Sequence, residues 1–397
     1  MNLEQDVFLS LLRDHVNQTI SAVSEEEINW KTVYEYAKQQ SLMGVCYVQI
    51  KKLIEAGLSV PADVLNMFHK GFFNDVYVAE NHRVYMEELS NAFQEKEIVC
   101  LPFKGWVIKD YWPVPELRTM GDVDILVHSE DRESSDSVME SLSYDRFIDN
   151  HAVWTYHKKD MAVELHDHMF YEHLVSDIDY VAYFDQAWEH SKPKLDESFH
   201  FLYLITHMAK HTINHGMGFR AYMDLVLLCS KAKTGMRWDW IREELTRLKL
   251  LRFTETCFAF CRSWFGFEPP LPAGELDPEF YSFVTDKLFQ DGIFGLENRQ
   301  NEASVSAKEI AHTDRSYIAG ALKLTLHRIF PPYEEMQLVP WYSFVDGRPW
   351  LLPFAWVYRW GYCLIHKQEQ SKELLTEPFV KRSVIEERQK LIRDWGL

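Results

Sequence analysis

The sequence is short of the features that usually announce a function. None of its six cysteines, at positions 46, 100, 229, 257, 261 and 363, forms a C-x-x-C pair, and most stand in apolar surroundings. They read as reduced core thiols of a cytoplasmic protein; Cys257 and Cys261 share a helix face, yet two thiols without nearby partners make a poor zinc site. No apolar run is long enough to cross a bilayer, since the most apolar late stretch, Trp350 to Ile365, is short and contains Arg359. The opening MNLEQDVFLSLLRDHV carries acids among its apolar residues and has neither a basic start nor a cleavage site, so the expectation is no signal peptide and no membrane partner. Basic runs are missing too. With 60 acidic against 42 basic residues the formal charge is −18, a field that repels nucleic acid, so a long nucleic-acid partner is not expected. No internal repeat and no low-complexity tract interrupts the chain.

What the chain does have is size and apolar content. Its 397 residues, 47% hydrophobic and 14% aromatic, suffice for substantial cores in roughly two or three domains. Residues 1–95 read as a helical region, with Phe8, Leu11, Leu12 and Val16, then Trp30, Val33, Tyr34, Ala37 and Leu42, at helical spacing. Asn81-His82-Arg83 within it reads as a solvated helix face. Residues 96–190 read as a small α/β core, with a helix over 131–142 that Ser129 would cap and strands over 151–157 and 161–166 joined by the charged turn Lys158-Lys159-Asp160. Residues 191–397 read as helical again, with a proline-rich linker near 268–277, a helical block over 280–328, and final helices near 353–366 and 371–394. The fold class expected is α+β, mostly helical, with a small mixed sheet flanked by helical regions.

The chemistry concentrates in Leu101 to Val127, which reads as strand, Lys-Gly turn, short helix, a loop with one arginine, and a strand opening Gly-Asp-Val-Asp. Side chains alternate along a strand, so Asp122 and Asp124 share one face while Val123 and Ile125 take the other. A D-x-D triplet is weak evidence alone, and a second one occurs at Asp177 and Asp179. The first runs into the apolar Ile125-Leu126-Val127, whereas the second precedes a helix-like stretch and reads as a capped helix start. A third acid lies in Met161-Ala162-Val163-Glu164-Leu165-His166, where alternation puts Glu164 and His166 on one face. If that strand lies beside the Asp122 strand, three carboxylates converge, a composition suited to two divalent ions that bridge phosphate oxygens.

Here a resemblance becomes specific. Lys104-Gly105, then Tyr111 and Pro113, then Arg118-Thr119-Met120-Gly121-Asp122-Val123-Asp124-Ile125-Leu126-Val127, and finally Val163-Glu164-Leu165-His166 resemble the bacterial nucleotidyltransferase-family proteins of the polymerase-beta-like superfamily, most strongly over about residues 98 to 170. The resemblance implies that Asp122, Asp124 and Glu164 bind Mg2+ (or Mn2+) and activate an attacking hydroxyl. It also implies that a later helical segment covers the nucleotide pocket, with His207, His211, Arg220 and Asp224 as substrate-binding positions. The usual Gly-Ser phosphate turn of the family is replaced by Lys104-Gly105, with a longer gap before the acids.

The resulting expectation is metal-dependent transfer of a nucleoside monophosphate from a nucleoside triphosphate to a hydroxyl on a small-molecule or protein acceptor. Lys104 and Arg118 would neutralise phosphate charge, Gly105 would admit close backbone approach, and His166 would sit beside magnesium or on the substrate side. Two other classes stand beside it: a nucleotide-binding sensor with little turnover, and a metal-dependent phosphoesterase. A zinc site built from His166, His168, His207 and His211 is a further alternative, and Arg220 with Asp224, one turn apart, also reads as a surface ion pair. Crowded carboxylates repel, so Asp124→Asn is expected to leave stability unchanged or raised.

Overall fold

Five short segments, several with alternating apolar residues, pair into the sheet. In the computed structural model, Cys100–Pro102 (β1), Asp122–Val127 (β2), Asp145–Asn150 (β3), Val153–Lys158 (β4) and Met161–His166 (β5) form one mixed sheet in the order β1-β2-β5-β4-β3. The structure describes residues 1–22, 28–150, 153–171, 174, 177–191, 194–214, 216–231, 235–292, 325–336, 340–345, 347–366 and 382–397. The expected helical stretch over 293–324, the strand start at 151–152 and the start of the last helix at 371–381 lie outside them. The β4–β5 hairpin pairs antiparallel about the turn at 159–160, while β5 pairs parallel with β2. One face of the sheet is apolar: Val123, Ile125 and Val127 of β2, Trp154 and Tyr156 of β4, and Val163 and Leu165 of β5 are all buried in a single cluster. Burying each of these side chains contributes about 1.5–3 kcal/mol, which fixes the register, because a slip of one residue would turn every one of them outward.

Two helices cover that face. Ala62–Glu95 (α4), 34 residues long, contributes Met86, Leu89 and Phe93, and Arg132–Ser141 (α6) contributes Val138 and Met139. The start of α6 differs from expectation: Ser129–Asp131 form a 3-10 turn, and no side chain caps the helix. Of Asn81-His82-Arg83, Arg83 is solvated as expected, Asn81 is half-buried and His82 is not solvated. His82 is buried with its Nε2 3.3 Å from the Asp160 carbonyl, and Asn81 Nδ2 donates to Asp160 Oδ2 at 3.0 Å, so α4 holds the β4–β5 turn. Asp179 does cap the short helix Tyr180–Phe184 (α7), accepting from the Ala182 N–H at 3.0 Å.

The other described elements are helices. Leu3–Asn17 (α1), Trp30–Gln39 (α2) and Met43–Glu55 (α3) precede α4; Gly105–Ile108 (α5) follows β1; Glu197–Asn214 (α8), Phe219–Lys231 (α9), Trp238–Arg247 (α10), Leu251–Phe265 (α11) and Pro278–Asp291 (α12) follow α7. Aromatic rings interlock them: Phe8 of α1 meets Phe219 of α9 and Phe289 of α12 edge-on, with centroids 5.9 and 5.6 Å apart. Residues 266–277 carry neither helix nor strand and lie against α11, where the Gly274 N–H donates to the Glu255 carbonyl. The chain divides into two compact units, Met1–Phe147 with Ala152–Glu297 and Trp395–Leu397, and Ile148–His151 with Asn298–Asp394. In the second, Met336, Tyr342, Val345 and Ala355 form a small core beside the helix Leu352–His366 (α14, after the one-turn α13 at Tyr333–Met336). Among the described residues no helix is long and apolar enough to cross a membrane.

One buried charge is out of keeping with this core. Asp75 of α4 is 7% exposed and accepts the Gly44 N–H at 3.0 Å. Burial pushes its pKa up to about 6, against a partial lowering by the Gly44 bond. A carboxyl whose folded pKa exceeds its unfolded value stays protonated longer in the native state, so stability falls as pH rises from about 4 to about 6 and the whole cost, about 2–3 kcal/mol, applies above that. Asp75→Asn keeps the acceptor and removes the charge. It is expected to melt several degrees higher than the parent at pH 8 and no higher at pH 4; an equal difference at both pH values would remove this account.

Candidate active site

The face of the sheet opposite the apolar cluster carries the acids. Parallel pairing of β2 with β5 sets Asp124 directly beside Glu164, and Asp122 beside Ala162. His166 lies one strand pleat beyond Glu164, its Nε2 3.0 Å from Asp124 Oδ1 and 3.5 Å from Glu164 Oε2. Ligand-capable atoms of Asp124, Glu164 and His166 all fall within 4.8 Å of one another. Asp122 stands at the open edge beside them. Desolvation of its carboxyl and the neighbouring charge of Asp124, with a smaller push from Glu164, raise its pKa to about 6 against the pull of Lys104 and Arg220. Asp124 goes the other way: burial alone would raise it, but Lys104 and the hydrogen bond from His166 outweigh burial and hold it at about 2.

Lys104 is the cation at this centre. Its Nζ lies 2.5 Å from Asp124 Oδ1, and its own pKa is raised because Asp124, Tyr203 and Asp122 more than offset its burial. The backbone there is strained, with φ 51° and ψ −130° at a residue that has a Cβ. Such conformations cost on the order of 1–3 kcal/mol and persist where the surroundings impose them. Here His200 does so: burial lowers its pKa to about 3, keeping the ring neutral, and its Nε2 accepts the Lys104 N–H at 3.2 Å. His200 escaped the sequence reading, although His200, Tyr203 and His207 of α8 recur on one helical face that looks toward the acids. Phe103 bridges the same elements, packing edge-on against His166 at 5.2 Å and Tyr203 at 5.4 Å.

Gly105 has a steric reason to be small. A methyl group there would collide with Arg118 Nη1. Arg118 in turn grips Asp224 with two nitrogens, Nη2 to Oδ2 at 2.7 Å and Nε to Oδ1 at 3.3 Å, and Trp112 Nε1 donates to the same Oδ1 at 2.7 Å. The i,i+4 partner expected for Asp224 is therefore displaced by Arg118, and the pair is buried rather than on the surface. Arg220 instead donates from Nη1 to the carbonyl and hydroxyl oxygens of Thr119, at 2.6 and 2.9 Å. Together Arg118 and Arg220 pin the loop that delivers Asp122. Gly105→Ala and Asp224→Ala are each expected to cost about 3 kcal/mol by stranding one buried guanidinium. The double variant is expected to cost less than their sum, because both act on one network; additive shifts in denaturant midpoint would show that the two sites are independent.

His207 and His211 face each other with Nε2 atoms 3.1 Å apart, and burial drives the His207 pKa well below its ordinary value. They lie on α8 beside the acidic centre but outside the group of ligand-capable atoms. His168 is at the surface, its Nδ1 2.7 Å from Asp185 Oδ1. The zinc arrangement considered from sequence is thus not assembled among the described residues. The residues present do fit a hard divalent cation: two carboxylates offer oxygen ligands, and a lysine ammonium already sits where positive charge is favoured.

Neither a curated protein nor a solved structure matches this chain. A family model does, described as uncharacterised nucleotidyltransferase and matching residues 26–266. That span covers more than half of the sequence and contains α2 through α11, with the whole sheet, the acids and the pinned loop. By that match the chain belongs to this nucleotidyltransferase family.

Proposed function

We propose that the protein transfers a nucleoside monophosphate from a nucleoside triphosphate to a hydroxyl-bearing acceptor, with Mg2+ or Mn2+ held by Asp122, Asp124 and Glu164. The observation that carries this reading is the parallel register that puts Asp124 beside Glu164 on the sheet face that also bears Asp122. The bound ions would neutralise phosphate charge and lower the acceptor hydroxyl's pKa. Glu164, 27% exposed in its side chain, is the acid best placed to take the acceptor proton. Lys104 supplies charge to the phosphates once its hold on Asp124 is relaxed, and the loop pinned by Arg118 and Arg220 keeps Asp122 in register. His207, kept neutral by its burial, and His211 line the α8 side of the centre and orient substrate.

Lys104 against Asp124 also favours a second reading, a sensor that binds nucleotide without turnover, because a cation is already in place. Incubating the protein with each labelled nucleoside triphosphate and magnesium separates these. Pyrophosphate release with label on an acceptor supports transfer, release of phosphate supports hydrolysis, and saturable binding with neither product supports the sensor.

A further inference from the structure

A cavity of about 240 Å³ opens beside α4, between that helix and the loop that leads to Asp122. Its floor is one helical face: Asp75, Val78, Ala79 and His82 follow the i, i+3, i+4, i+7 spacing. Trp106, just beyond Lys104-Gly105, and Thr119, three residues before Asp122, form its walls. The floor has an acceptor at each end and an apolar middle. Asp75 is more than nine-tenths buried, takes one hydrogen bond from the Gly44 N–H, and has no cation against it among the described residues. His82 meets the Asp160 carbonyl through Nε2, so that nitrogen carries the ring proton and Nδ1 of the neutral ring is an acceptor. The nearby cations are already engaged: Arg118 with Asp224, and Lys109 over the Trp106 ring at 3.1 Å.

An uncompensated buried carboxylate costs stability unless something satisfies it. A phosphate or carboxylate ligand would worsen the repulsion, whereas a protonated amine would relieve it. We propose that this cavity is a recognition subsite for a small amine-bearing molecule, with Asp75 as the anchor of its ammonium group. The volume is below that of drug-sized pockets, about 300–1,000 Å³, so the body recognised is small, with an apolar centre over Val78 and Ala79 and a second donor toward His82. Thr119 and Met120 run directly into Gly121 and Asp122, so on the transfer reading the molecule held here would be the acceptor; the amine recognition does not rest on that reading.

Calorimetric titration of the full chain near neutral pH with diaminobutane, butylamine and butanediol tests the subsite. Diaminobutane is expected to bind at least about tenfold more tightly than butanediol, since a charged hydrogen bond replaces a neutral one. Asp75→Asn, which keeps side-chain size, is expected to erase that preference, and Val78→Phe, which fills the cavity, to remove binding of all three probes. Magnesium-nucleotide binding is expected to stay unchanged in both variants. The proposal is overturned if diaminobutane does not bind, if the preference survives in Asp75→Asn, or if nucleotide affinity falls together with amine affinity. Failure of the transfer reading would appear separately, as absence of pyrophosphate release with amine binding intact.

Discussion

Asp124→Asn is expected to lower nucleotidyl transfer by about 10³-fold or more, since loss of a shared ligand for the phosphate-clamping charge is worth about 4 kcal/mol of barrier. The same substitution is expected to destabilise the fold, contrary to the expectation from like charges alone. Asp124 is gripped by Lys104 at 2.5 Å and His166 at 3.0 Å, and its pKa of about 2 lies below the ordinary carboxylate value. An acid depressed in this way contributes stability that is complete above pH 4 and is lost as pH falls toward 2. Removing it leaves the Lys104 ammonium mostly buried beside a neutral amide, a loss of about 3–5 kcal/mol. Melting curves at pH 7 check the stability arm and radiolabelled product checks the chemistry. A variant that keeps full activity would remove Asp124 from the mechanism, and one as stable as the parent would show that the Lys104 contact contributes nothing.

Lys104→Met is expected to give the second large effect, and its signature is a dependence on divalent cations. With the ammonium gone, Asp122, Asp124 and Glu164 face one another with no positive charge at their centre, so the variant is expected to melt well below the parent in EDTA. Millimolar magnesium is expected to restore more of the loss in the variant than it adds to the parent, because a cation that binds only the folded state stabilises it by mass action and Lys104 no longer competes for Asp124. Activity is expected to drop by about 10²–10³-fold through loss of phosphate neutralisation. Equal magnesium-induced shifts in parent and variant would mean that lysine and metal do not share the site.

Much of this centre was legible in the sequence because strand alternation is local. Val123, Ile125 and Val127 against Asp122 and Asp124 needed only a period of two, and the same rule put Glu164 and His166 together on β5. The mostly helical α+β class was also legible, from apolar spacing along α1, α2 and the helices after residue 196. Other features depend on what lies across space. Nothing near residue 200 in the chain says that its imidazole will accept the Lys104 N–H, and nothing near residue 105 says that the space of a methyl group is taken by a guanidinium from residue 118. Asn81-His82 looked solvated because their partner, the turn at Asp160, is 78 residues away. The Arg220–Asp224 spacing suggested a local pair, and a bidentate partner from another loop displaced it.

The sequence by itself determined which side chains have the right chemistry and which of them share a strand face, because both follow from residue type and backbone period. The tertiary structure alone decided that β5 runs parallel beside β2, that a lysine stands among the acids, and that a lone carboxylate on α4 faces a cavity. Those outcomes depend on distance between segments remote in the chain, where burial raises the cost of any charge without a partner and so dictates which groups must meet.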